Sequence, residues 1–441
     1  MSRQIIKPAK RLAGELRVPG DKSISHRALL IAGIGEGDCA ISGLSTADDV
    51  SATRAALEAL GVVISHTNSQ VEVLKPSTGT LDSQILVEGR GLAALRPSPD
   101  AIFCQNSGTT ARCLAGILAG RPFETRLDGD DSLRRRPMGR VIEPLHKMGA
   151  TVEATDDRLP LLIRGSDLTG IDYRSPVASA QVKTAVLLAG LQASGKTAFH
   201  EPSPSRDHTE RILEFLGVPI ERSIDRLIVK STDIRNASSL SVPGDLSSAA
   251  FLLVAAAILP GSEVTVRDVG LNPTRAGILD VLRRFGADVS ISRQRDECGE
   301  PRGDVTVRAA DRRPVEIAGA EIVRTIDELP LVAVLGAFSE GETVIRDAAE
   351  LRLKESDRIA TLAAGLRAMG MEVRVFDDGM AVAGPAKLQG AGVESAGDHR
   401  IAMALAVAGL AAEAPTEVSG WESVAVSYPE FGRDLDALAE R

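Results

Sequence analysis

The sequence predicts an α/β protein in two halves of three units each, with apolar helices inside and sheets outside, and three observations lead there. Six times, a small or polar cluster opens an Ala- and Leu-rich run, which breaks at a Gly- or Pro-bearing turn and passes into a β-like segment. The runs follow Ser25-His26-Arg27, Asn106 to Thr110, Ser179-Ala180-Gln181, Asp245 to Ser248, Asp327-Glu328 and Asp398-His399-Arg400. They are apolar all round rather than along one stripe, so the helices they form belong in the interior. Five of the six units then continue with a second amphipathic helix and a Gly stop before the next strand, in EALGVVI, HKMGATVE, EFLGVPIE, RRFGADVSI and RAMGMEVRV. At the midpoint, Ser241-Val242-Pro243-Gly244-Asp245-Leu246-Ser247 restates Arg17-Val18-Pro19-Gly20-Asp21-Lys22-Ser23.

The chain has 441 residues and 44% hydrophobic content, enough for two domains with separate cores. A net charge of −9 and 3% aromatic residues leave neither a basic surface for phosphodiester backbones nor a platform for stacking bases, so no nucleic acid is expected as a partner. Cys39, Cys104, Cys113 and Cys298 form no CxxC pair, which fits a reducing compartment and a cytoplasmic location. No targeting segment is visible at the N-terminus. The longest apolar run, Ala249 to Leu259, is about half of what a bilayer-spanning helix needs, so no membrane association is expected.

The chemistry gathers where the apolar helices begin. Val18 to Arg27 places Lys22, Arg27, Ser23 and Ser25 just ahead of an apolar run, after the Pro19-Gly20 break. Ser23 or Ser25 can cap the helix, whose free N–H groups and positive dipole end would then face the same place as Lys22 and Arg27. That is a design for an anion, although a capped surface helix carries the same signature. Asn106-Ser107-Gly108-Thr109-Thr110 precedes Arg112, and a Gly between hydroxyls lets backbone N–H groups approach a ligand or simply cap a helix. Arg134-Arg135-Arg136 reads as a solvated run in which one side chain could turn inward. Lys354-Glu355-Ser356-Asp357-Arg358 reads as a helix start with Lys354 and Arg358 at i and i+4 on one face. Asp327 stands at the mouth of an apolar helix, where a cap and a proton acceptor look alike.

Gly190 to Thr197, GLQASGKT, matches a phosphate-loop pattern letter for letter, but such a loop follows a strand and opens a helix. Here a helix precedes it and a strand follows, so the match is fortuitous. The six histidines and four cysteines complete no metal signature, and no metal is expected.

Together, PGDKSISHR (Pro19 to Arg27), NSGTTAR (Asn106 to Arg112), RRPMG (Arg135 to Gly139), SAQVKTA (Ser179 to Ala185), SRDHTE (Ser205 to Glu210), KESDR (Lys354 to Arg358) and DHRIAM (Asp398 to Met403) resemble the enolpyruvyl transferase family nearly end to end. The resemblance is to its branch that uses shikimate 3-phosphate. It implies two similar globular domains, each of three βαβαββ units with buried helices and outer sheets, an inside-out α/β barrel. The first domain would be residues 1–20 and 242–441, the second 21–241, with hinges near 20 and 241. The implied reaction moves the enolpyruvyl group of phosphoenolpyruvate to the 5-hydroxyl of shikimate 3-phosphate, releasing phosphate through a tetrahedral intermediate, in a cytoplasmic monomer that needs no cofactor.

Residue by residue, the resemblance implies that Lys22, Gly108, Arg136, Gln181, Arg358 and Arg400 hold phosphoenolpyruvate. Lys22, Ser23, Arg27, Ser179, Gln181, Arg206, Asp327 and Lys354 would hold shikimate 3-phosphate. Lys22, Asp327 and Glu355 would be catalytic, and the herbicide glyphosate would compete near Gly108. Two positions depart from the familiar pattern: Ala180 where many relatives carry a second Ser, and Val426 where many carry a Lys. The alternatives are the sister enzyme acting on UDP-N-acetylglucosamine and a non-catalytic anion-binding relative. The sister's reactive Cys is missing from the matching stretch, Gly129 to Pro137, and a scaffold has no need of Asp327 and Glu355 opposite its cations.

Overall fold

The structure, a computed structural model, describes residues 2–67, 84–223, 225–309 and 311–441. Contacts divide the chain into two compact units: one of Met1–Pro19, Pro243–Arg295 and Pro301–Arg441, the other of Gly20–Val242 and Asp296–Glu300. Each has its own apolar core. Asp296–Glu300, the turn between the strands Asp288–Glu297 and Glu300–Arg308, falls with the second unit, for which the sequence contains no sign.

Each core is built on three helices. In the first unit these are Leu246–Ile258, Leu329–Phe338 and His399–Leu410, in which every residue is buried. In the second they are Lys22–Ile34, Gly108–Leu118 and Ala180–Gly190. With no wet face, such helices are stable only inside, each large buried side chain contributing roughly 1.5–3 kcal/mol. The second helices, such as Gly139–Lys147 and Gly277–Phe285, are amphipathic and lie half in water. The five predicted stops, Gly61, Gly149, Gly217, Gly286 and Gly370, all take positive φ.

Among the described residues, the second unit carries three sheets of one pattern, a parallel pair followed by two antiparallel strands. They are Ser239–Ser241, Glu36–Ser42, Ile85–Arg90 and Val63–His66; Ile102–Phe103, Glu124–Asp128, Arg158–Arg164 and Thr151–Thr155; and Asp172–Arg174, Lys196–His200, Arg226–Lys230 and Glu221–Arg222. The first unit repeats the parallel start with Arg11–Leu16 on Glu263–Gly270, Glu316–Ile317 on Glu342–Ile345, and Gly392–Glu394 on Thr416–Ser419. Its third sheet has three strands, closed by Arg3–Ile6; the sequence shows no second amphipathic helix for this last unit, but the structure has one, Phe431–Leu438, with Phe431, Leu435 and Leu438 buried.

The echoed Pro-Gly-Asp turns now have a physical meaning. Arg11–Leu16 lies in a first-unit sheet but leads through Pro19-Gly20-Asp21 into a second-unit helix; Ser239–Ser241 lies in a second-unit sheet but leads through Pro243-Gly244-Asp245 into a first-unit helix. In both turns the Asp is the helix cap: Asp21 accepts from the Ile24 amide at 2.9 Å, and Asp245 from the Ser247 and Ser248 amides at 2.7 and 3.4 Å. This corrects the expectation of a Ser23 or Ser25 cap, since Ser25 instead accepts from the Ser45 amide. Gly20 is obligatory, because a Cβ there would fall 1.7 Å from the Gly43 carbonyl oxygen.

Candidate functional site

In the second unit the helix starts converge on basic side chains. Lys22, the first residue of its helix, pairs with Asp49 at 2.9 Å, both largely buried. Arg27 is 2% exposed, and its guanidinium donates to Thr209 Oγ1 at 2.8 Å, Thr184 Oγ1 at 3.0 Å, the Ser23 carbonyl at 2.8 Å and the Ala180 carbonyl at 3.4 Å. All four are neutral oxygens, and burial pulls the Arg27 pKa below its ordinary value. A buried cation bonded only to dipoles retains an unspent attraction for an anion. Arg206 donates to Ser23 Oγ at 3.2 Å, so the serine expected to cap the helix instead meets a second cation.

The Gly108 and Gln181 helices meet alongside. Ser107 caps Gly108–Leu118 through the Thr110 amide, and Ser179 caps Ala180–Gly190 through the Val182 amide. Gln181 accepts from Arg112 at 2.5 Å and donates to Thr109 at 2.9 Å. Of the arginine run, Arg134 pairs with Asp128 at the surface, whereas Arg136 turns inward to Asn106 Oδ1 and to Ser132 Oγ at 3.3 Å. A Cβ on Gly108 would sit 3.0 Å from an Arg112 nitrogen and 3.5 Å from an Arg136 nitrogen, so position 108 borders both guanidiniums. Beneath them runs a buried chain: His26 Nδ1 to Thr53 at 2.6 Å, Thr53 to Thr110 at 2.6 Å, and Thr110 to Ser107 at 2.8 Å. It ties together the helices that carry Lys22, Asp49 and Gly108.

The first unit holds a cluster of a different kind. Arg358, 1% exposed, contacts Asp398 at 2.8 Å, Glu355 at 2.5 Å and Asp327 at 3.5 Å. Its pKa is raised: burial opposes the charge, but Asp398, Glu355 and Asp327 outweigh it. Arg400 lies 3.5 Å from the Asp327 carboxylate, donates to the Asp327 carbonyl at 3.3 Å and stands 4.0 Å from Glu328. Glu328 bonds Ser247, which accepts from Arg275 at 2.7 Å, and Arg275 pairs with Asp245 at 2.5 Å. Lys354 is partly buried, and burial lowers its pKa against the pull of Asp327, with Arg358 adding to the drop.

KESDR does not open the helix as a unit. The helix is Arg358–Ala368, capped by Asp357 on the Ala360 amide at 3.0 Å, so Lys354 lies in the preceding turn and the shared helical face does not exist. Asp327 is not a cap either; Glu328 occupies the cap position of Leu329–Phe338, and Asp327 is left to face Arg358 and Arg400. GLQASGKT follows the helix Ala180–Gly190 and runs into the strand Lys196–His200, the wrong order for a phosphate loop. Val426 ends the 3₁₀ turn Trp421–Val426. Burial pushes the Cys39 and Cys104 thiols up to about 12, which makes them chemically quiet.

Reading the sequence missed Asp49, Arg275 and Glu328. Asp48-Asp49 at a helix start looks like ordinary dipole compensation, and Glu328 like the neighbour of the more conspicuous Asp327. Only the fold brings Asp49 to Lys22, 27 positions away, and Glu328 to Ser247, 81 positions away.

Three-unit α/β halves with buried helices, outer sheets and cations gathered at the helix starts define the enolpyruvyl transferase fold. An enolpyruvyl transferase from Streptomyces tendae shares this architecture at a TM-score of 0.79, 20% identity and 98% and 96% coverage of the two chains. The EPSP synthase (3-phosphoshikimate 1-carboxyvinyltransferase) family model matches residues 6–435, and the chain belongs to that family. It is 45% identical to the 3-phosphoshikimate 1-carboxyvinyltransferase of Syntrophotalea carbinolica over 99% of both chains. It is also similar to the EPSP synthase structure from Acinetobacter baumannii, at a TM-score of 0.86, 37% identity and 99% and 98% coverage.

Proposed function

We infer that the chain transfers the enolpyruvyl group of phosphoenolpyruvate to the 5-hydroxyl of shikimate 3-phosphate, forming 5-enolpyruvylshikimate 3-phosphate and inorganic phosphate. The observation that carries this reading is Arg27, buried and bonded only to neutral oxygens, beside Lys22 and Arg206 in a protein of net charge −9. Such a cluster suits a phosphorylated, carboxylated substrate.

In this proposal Lys22, Gly108, Arg136, Gln181, Arg358 and Arg400 bind phosphoenolpyruvate. Lys22, Ser23, Arg27, Ser179, Gln181, Arg206, Asp327 and Lys354 bind shikimate 3-phosphate. In the addition step Glu355 gives a proton to the methylene carbon, the 5-hydroxyl oxygen bonds to C2, and Asp327 takes the hydroxyl proton. In the elimination step the methyl group returns a proton to Glu355, the methylene forms again, and the C2–O bond to phosphate breaks while Lys22 offsets the developing charge. The pairing of Arg358 with both Asp327 and Glu355 supports this division, because one fixed cation orients both carboxylates. Hinges near residues 20 and 241, a cytoplasmic location and a monomeric state belong to the same proposal. No helix among the described residues is long and apolar enough to cross a membrane.

Phosphate release from phosphoenolpyruvate, measured with shikimate 3-phosphate and separately with UDP-N-acetylglucosamine, tests the reading. Release with the first acceptor alone is expected. Release only with the second identifies the sister reaction, and release with neither removes the enzymatic reading.

A further inference from the structure

Lys183 is 1% exposed, lies in the buried helix Ala180–Gly190, and has no part in the reaction described above. Its ammonium meets Glu201 at 2.9 Å, Glu210 at 2.9 Å and the Ser205 carbonyl at 3.2 Å. Glu201 in turn accepts from the Ser205 amide at 3.1 Å and the Ser205 hydroxyl at 2.6 Å. The amide, hydroxyl and carbonyl of one residue are therefore all held by a single buried charge cluster. The next residue is Arg206, which reaches Ser23 Oγ at 3.2 Å. Beside Lys183 on the helix, Thr184 bonds Thr209 at 2.6 Å, and both hydroxyls accept from Arg27.

One cation against two carboxylates is an expensive way to fill an interior, since apolar side chains of similar volume often serve stability as well. What the cluster supplies is a fixed backbone under Arg206. We propose that Lys183, with Glu201 and Glu210, is a positioning residue that sets the Ser205-Arg206 backbone so that Arg206 and Arg27 grip one anionic group, the phosphate of the acceptor substrate. This rests on the assignment of Arg206 and Arg27 to shikimate 3-phosphate. The cluster also accounts for most of SRDHTE: Ser205 is clamped, Arg206 grips, Thr209 braces Arg27 and Glu210 balances Lys183.

Steady-state kinetics on three variants test it. Arg206→Ala examines the underlying assignment and should raise the KM for shikimate 3-phosphate; if it does not in an active enzyme, that assignment fails whatever Lys183 does. With that established, Lys183→Gln combined with Glu210→Gln removes one charge of each sign and should raise the same KM about tenfold, with kcat and the KM for phosphoenolpyruvate within about twofold. Glu201→Gln keeps the shape and should raise it about threefold with the same selectivity. An unchanged KM for shikimate 3-phosphate, or both KM values and kcat moving together, overturns the proposal. If the double variant does not fold, Glu201→Gln decides by the same criterion.

Discussion

Arg27 and Arg358 are both almost fully buried, one in each unit, yet they are held in opposite ways. Around Arg27 the hydrogen-bond partners are hydroxyls and carbonyls; around Arg358 they are the carboxylates of Asp398, Glu355 and Asp327. A cation whose hydrogen bonds all go to dipoles, with Glu210 and Asp21 acting on it only at a distance, keeps an attraction for an incoming anion. A cation among carboxylates is already balanced, and its acids are aligned and available to move protons. Under the proposed function, this difference would let the Arg27 cluster draw in the acceptor's anionic group, while Arg358 holds both phosphoenolpyruvate and the carboxylates proposed to move protons.

The most disruptive break falls on the balanced side. Arg358→Ala should abolish turnover and also lower stability by about 3–5 kcal/mol, because Asp398, 0% exposed, is left without its cation. Denaturant unfolding beside an activity assay reads both effects, and unchanged stability would mean that the carboxylates are not compensated as described. Lys22→Ala should abolish turnover just as completely but cost less stability than Arg358→Ala, since it strands one carboxylate, Asp49, at 11% exposure, rather than the fully buried Asp398. Turnover at the wild-type rate would remove Lys22 from the site.

Gly108→Ala sharpens the comparison within the capture cluster. The added methyl crowds an Arg112 nitrogen at 3.0 Å and fills the space against Arg136 at 3.5 Å, so a ligand longer than phosphoenolpyruvate should suffer more than the substrate itself. The ratio of the glyphosate inhibition constant to the KM for phosphoenolpyruvate should rise about tenfold. An unchanged ratio would place position 108 away from that ligand.

The smallest effect is on pH dependence. His26 is held well below its ordinary pKa, first by burial and then by Lys22 and Arg27, so it stays neutral in the folded state. An unfolded His takes up a proton below about pH 6.5, so the unfolded chain then binds more protons and stability falls as pH drops through that window. His26→Gln should flatten this slope between about pH 6.5 and 5, by up to ~1.4 kcal/mol per pH unit. Denaturation midpoints at several pH values check it, and a slope identical to wild type would contradict it.

What could be read from the sequence was what repeats locally. The six apolar helices and the Gly stops follow from spacing of a few residues, whereas the second helix of the last unit, Phe431–Leu438, escaped because no Gly stop follows it. Caps were harder, because Asp21 and the serines beside it satisfy the same preference and only backbone geometry chooses between them. Lys354 was misplaced for a related reason: Asp357, one position before Arg358, starts the helix later than charge spacing suggests. Partners far apart in sequence, such as Lys22 with Asp49, left no trace at all. The clusters were legible as a set of cations and acids; how each cation is balanced was not.

That balance is tested most directly by calorimetric titration of shikimate 3-phosphate into Arg206→Ala and Asp327→Asn, with turnover measured on the same preparations. Arg206→Ala is predicted to weaken binding about tenfold or more, through the loss of a charge-assisted contact. Asp327→Asn is predicted to bind within about threefold of wild type, or tighter, while kcat falls at least about a hundredfold. Near-normal turnover in Asp327→Asn together with a large loss of binding would contradict the account.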